Sequence, residues 1–104
     1  MSLDLHVSSN AKAAEREFPK VRLSDADHER LFQPAEESCY PLLSRMSDYY
    51  SDATYQAGEM EPLLEEVRRL RTAANPPVAD VLDKLIKALE TGIREGKRLF
   101  CFAD

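Results

Sequence analysis

With 104 residues, 43% of them hydrophobic and 32% charged, the chain has the length for a single domain, 1–104, with one modest core. Gly at 3 and Trp at 0 argue against a loop-rich β protein, and a net charge of -5 argues against nucleic acid or an anionic membrane as partner, since phosphate recognition runs on Lys and Arg. No apolar run approaches the roughly 18 residues a membrane span needs, and MSLDLHVSSN lacks the basic-then-apolar pattern of a leader, so a cytoplasmic location is expected.

At the front, Leu3, Leu5 and Val7 alternate with Asp4 and His6, the period of a short half-buried strand. NAKAAERE (10–17) suits a helix by propensity but has no apolar stripe, so it reads as either a solvated turn of helix or a mobile segment, and mobility of 1–17 as a whole stays open beside the strand reading of its front. In FPKVRL, Pro19 biases Phe18 away from helical backbone, which makes the segment extended. SDADHERLF opens a short helix: Ser24 is an N-cap, Asp27 its capping-box partner, and Leu31 and Phe32 the buried side.

A second helix is expected from Ser38, with Pro41 in its first turn and Leu42, Leu43, Met46, Tyr49 and Tyr50 on one face. SDATYQAG reads as a polar connection. Met60, Leu63, Leu64, Val67 and Leu70 then repeat a helical stripe, with Pro62 placed in the first turn. TAANPP ends that helix, Asn75 and Pro76 start the next, and Val78, Val81, Leu82, Leu85, Ile86, Leu89 and Ile93 trace its buried face. On its other side Asp80, Asp83 and Glu90 each precede a base by four residues, the spacing of surface ion pairs. Gly96 is a left-handed cap, and RLFCFAD is a strand that could pair with LDLHV as a two-stranded ribbon.

Charge is unevenly spread. Residues 1–66 hold 6 Lys/Arg against 14 Asp/Glu, and residues 67–104 hold 8 against 5. An acidic front suits a basic partner, or it attracts the basic tail, including Arg68, Arg69 and Arg71. Cys39 and Cys101 have no metal-ligand spacing and read as buried thiols. No cofactor is expected.

All four tyrosines fall in CYPLLSRMSDYYSDATY, where aromatics at helical spacing serve packing first. Adjacent Tyr49 and Tyr50 cannot both enter one core, so one is expected at a rim, joined by Tyr55. With Asp48, Asp52, Glu59 and Glu61 nearby, the candidate partner-binding set is Asp48, Tyr49, Asp52, Tyr55, Glu59 and Glu61. Asp48, Asp52 and His28 would serve as an acid–base or cation site only if they converge in one pocket, and no supporting motif accompanies them.

CYPLLSRMSDYYSDATY, EMEPLLEEVRRLR and GKRLFCFAD together resemble a group of short, mainly helical bacterial proteins of uncharacterised role, with a YPLL…DYY…D core, over residues 24–104. Some members of that group look like immunity proteins. The resemblance implies inhibition of a toxin by surface complementarity and brings no catalytic residues.

The expected fold is therefore mainly α, a compact bundle of three to four helices with a small two-stranded β-ribbon formed by the termini. The expected function is noncatalytic binding of a basic protein, in its sharp form an immunity-like inhibitor of a basic toxin. A structural protein that forms a homodimer through Leu99 to Phe102 is one rival, and a small enzyme or metal site built on Asp48, Asp52 and His28 is the other.

Overall fold

The computed structural model of the chain describes residues 3–32, 39–48 and 51–103. Strand β1 (Leu3–Ser8) realises the alternation at the front of the sequence: Leu3, Leu5 and Val7 enter the core at 0%, 0% and 2% exposure, and Asp4, His6 and Ser8 take the opposite face. Asn10 caps α1 (Ala11–Arg16), its side-chain oxygen accepting from the Ala13 N–H at 2.8 Å. The chain then returns as β2 (Val21–Leu23), antiparallel to β1 with Leu3 opposite Leu23 and Leu5 opposite Val21. At the next turn Ser24 Oγ accepts from the Asp27 N–H at 3.2 Å, the capping expected for α2 (Asp25–Phe32).

The later elements are β3 (Ala53–Tyr55), α3 (Ala57–Thr72), α4 (Pro76–Arg94) and β4 (Arg98–Ala103). Helix α4 ends as a Schellman motif: Gly96 has φ 67, its N–H donates to Ile93 O, and the Lys97 N–H donates to Gly92 O at 2.8 Å. That reversal sends β4 back along β1. The four strands form one antiparallel sheet in the order β2-β1-β4-β3, with β4 between β1 and β3.

This overturns the mainly helical bundle. The fold is α+β, among the described residues four α-helices with a four-stranded antiparallel sheet, and the β1–β4 pair is the sheet's centre instead of a two-stranded ribbon. Two physical reasons account for the error. Strands β2 and β3 have three residues each, too few for alternation to register against the helical background. And the stretch expected as a helix from Ser38 forms, within the described residues, only a 3₁₀ turn over Leu43–Met46. Leu43 and Met46, three apart, both reach the core, a spacing that suits a 3₁₀ turn as well as an α-helix. Tyr49 and Tyr50 lie outside the described residues.

Helix α3 also begins earlier than expected, so Pro62 sits inside it instead of in its first turn. Its basic step serves the helix pair: Arg68 bonds Glu90 at 3.0 Å and Arg71 bonds Asp83 at 2.8 Å. Asp83 and Glu90 thus pair across to α3, while Asp80 and Lys84 stand 3.9 Å apart within α4. Between α4 and β1, Gly92 permits a close approach. A Cβ built there would lie 2.8 Å from Val7 Cγ1 and 2.9 Å from Met60 Cε. The expected buried face of α4 is realised by Val78, Val81, Leu82, Leu85 and Leu89, all packed into the same core as the sheet residues. Among the described residues no helix is long and apolar enough to cross a membrane.

Candidate functional site

The acidic and tyrosine-rich segment splits into different roles. Tyr55 is not at a rim. It is fully buried on β3, and its hydroxyl donates to Leu42 O at 2.5 Å. Burial raises its phenol pKa far above the ordinary value, so it stays neutral. Glu59 is tied down twice, accepting from the Gln56 N–H at 3.0 Å at the start of α3 and from the Arg45 guanidinium. The hydrogen bond from Arg45, more than the Gln56 N–H, lowers its pKa. Asp52 accepts from the Ala103 N–H at 2.8 Å and closes the end of β4, while Asp48 accepts from Ser51 Oγ at 2.8 Å. Glu61 is exposed on α3, and Tyr49 lies outside the described residues.

What the segment builds is a clamp. Glu66, a carboxylate with 6% exposure on α3, accepts from the Leu42 N–H (3.0 and 3.2 Å) and the Leu43 N–H (3.0 Å). One helical turn on, Arg69 donates to Cys39 O at 3.0 Å and lies 5.2 Å from the Tyr40 ring centroid. Glu59, Glu66 and Arg69 follow one face of α3, so a single stripe of that helix grips residues 39–45. Cys39 is exposed, against the expectation of two buried thiols, whereas Cys101 is buried on β4 with its thiol pKa raised mainly by that burial.

His28 is buried and hydrogen-bonds Met46 O through Nε2 at 2.7 Å, against the Phe32 ring at 4.6 Å. Its ring is thus used in joining α2 to the 3₁₀ turn. Among the described residues no group of three His, Cys, Asp or Glu side chains could hold a metal ion. Leu99, Phe100 and Cys101, part of the apolar run named for self-association, are buried in the central strand.

Open, chemically mixed surface lies instead around the α1–β2 corner. Phe18 is 92% exposed, the one large apolar side chain so exposed among the described residues. Pro19 after it and the lack of an apolar stripe on α1 are the sequence signals that leave it outside the core. It stands between two clefts. One, of 540 Å³, runs along β2 towards α4 and is rimmed by Lys20, Arg22, Asp27 and Lys84. The other, of 420 Å³, lies over the outer sheet face, with Asp4, His6, Glu15, Glu17, Arg22 and Phe102 in its wall.

Register explains the second cleft. Asp4 opposite Phe102, and His6 opposite Phe100, put these side chains on the face turned away from α3 and α4. His6 and Phe102 pack at 5.2 Å between ring centroids, and Phe102 lies 6.3 Å from Phe100. Arg98 covers Phe100 at 5.2 Å while donating to Ser9 O and Gln56 Oε1, which seals that end of the face. Arg22 donates to Asp4 at 3.0 Å. Glu15 and Glu17 have no cationic partner among the described residues. His6 is 6% exposed, and its Nδ1 has no hydrogen-bond partner. Burial lowers its pKa, against the attraction of Asp4 and Glu17, so the ring is neutral near pH 7.

No protein-family profile, curated protein or solved structure matches the chain.

Proposed function

We propose that the protein is a noncatalytic protein-binding module that engages a basic partner through the α1–β2 corner, with Phe18 as anchor. Phe18 carries the reading: a phenyl ring 92% exposed is an interface anchor in character, with the carboxylates of the outer-sheet cleft on one side of it and Lys20, Arg22 and Lys84 on the other. Burying such a ring stabilises a complex by about 1.5–3 kcal/mol. The net charge of -5 favours encounter with a cationic protein, and exposed Asp48, Asp52 and Glu61 add to that field at longer range. On this reading the acidic side chains attract the partner at a distance, and the contact centres on Phe18. An immunity-like inhibitor of a basic toxin, acting in a bacterial cytoplasm, is the sharper form of the same reading.

Photo-crosslinking in source cells tests it, with the crosslinker at position 18 and, as control, at exposed Ala57 on α3. Position 18 should trap one basic protein. The purified pair should lose roughly 30-fold in affinity on Phe18→Ala, about 2 kcal/mol, and weaken with rising salt. Equal yields from both positions would refute the placement, and capture of a second copy of the chain alone would refute the heterologous partner.

A further inference from the structure

We infer that the cleft over the outer face of the sheet is a guanidinium subsite, built to take an arginine side chain of the partner between Phe102, Phe18 and the carboxylates of Glu15 and Glu17. The inference rests on the protein-binding reading for who supplies the arginine, but the subsite is a property of this chain alone. Three features converge on this ligand. Glu15 and Glu17 bring two carboxylates without a cationic partner to one rim, a surplus that a planar cation offsets with paired N–H donors. Phe102, packed on His6, and the exposed Phe18 supply ring faces to which a guanidinium is attracted more than any anion or neutral amide.

His6 adds the independent sign. A polar ring that is 94% buried in the cleft wall, with Nδ1 unmatched by any protein donor or acceptor, lacks the partner that buried polar atoms ordinarily have. As a neutral imidazole it adds no charge to repel a cation. The groups that face it are Asp4, Glu15 and Glu17 on the acidic side and Arg22 on the basic side, with Arg22 already bonded to Asp4. That internal pair shows the chemistry the remaining carboxylates would repeat with a second arginine. The 420 Å³ cleft has room for an arginine side chain.

The probe is blocked arginine, N-acetyl-arginine methylamide, titrated to millimolar concentration into the full chain while the His6 ring resonances are followed by NMR. Blocked glutamine is the control. Saturable movement of the His6 signals with arginine only, a fall in the His6 pKa on saturation, and a loss of affinity of at least tenfold in Glu15→Gln/Glu17→Gln would support the subsite. Both glutamates are exposed, so the double variant should keep the wild-type amide spectrum, which verifies its fold in the same experiment. Absence of a saturable shift, or one that persists unchanged in the double variant, would overturn the subsite. Because this titration needs no partner, its failure leaves the crosslinking result at position 18 standing, and the reverse also holds.

Discussion

Replacing Glu66 perturbs the clamp at its best-defined point. Its carboxylate is the acceptor for two backbone donors, and the Leu43 N–H is buried where water cannot substitute. A buried donor left unpaired costs about 1–3 kcal/mol, and the part-buried Leu42 N–H adds a smaller share. Relief from burying a charge offsets some of this, so Glu66→Ala should lose about 2–4 kcal/mol, a large fraction of the roughly 5–15 kcal/mol that holds a domain folded. Glu66→Gln keeps an oxygen for the two donors and should lose only about 1 kcal/mol. Leu42 is held from both sides, its N–H by Glu66 and its C=O by the Tyr55 hydroxyl, so Tyr55→Phe should couple non-additively with Glu66→Ala. Urea unfolding followed by circular dichroism measures all four variants. A loss below about 1 kcal/mol for Glu66→Ala, or equal losses for Ala and Gln, would refute the acceptor argument.

Two helix glycines should respond oppositely to alanine. Gly58 has open space around its missing Cβ, so Gly58→Ala should gain about 0.5–1 kcal/mol, while Gly92→Ala should lose about 1 kcal/mol net, because stiff Val7 cannot yield; thermal melting gives the two signs. Cys101 should resist iodoacetamide in native buffer and react after denaturation, since burial raises its thiol pKa; mass spectrometry that finds it alkylated as fast as exposed Cys39 would disprove this. His6 has a folded pKa below its unfolded value of 6.5, so the unfolded chain binds the extra proton first as pH falls. Its contribution to stability should be complete above about pH 6.5 and decline below it as pH approaches the folded value, a slope that His6→Gln removes from pH-dependent urea midpoints.

Much of the chain was legible where one rule acted alone. The alternation of Leu3, Leu5 and Val7, the Ser24 cap, the α4 stripe and the Gly96 reversal all follow from local sequence, and each stands in the structure. What sequence could not supply was partnership. Tyr55 reads as a rim tyrosine until β3 pairs with β4 and carries it inside. Arg71 and Arg68 read as partners for the acidic front until α3 lies against α4. Glu66 gives no sign in sequence that its carboxylate turns inward, since its donors lie 23 and 24 residues away. Phe18 and His6 were overlooked for the complementary reason: one is made conspicuous by what fails to cover it, the other by a bond it does not make.

The pairing of β1 with β4 has a consequence for biogenesis. Leu3 lies opposite Ala103 and Ser8 opposite Arg98, so the middle of the sheet joins residues about as far apart along the polypeptide as the described chain allows. On the ribosome, the edge of β1 that faces β4 stays open until β4 has been made, although β2 can cover the other edge much sooner. Such non-local closure slows folding, and until β4 has been made it leaves one edge of a greasy strand exposed to chaperones and neighbouring nascent chains.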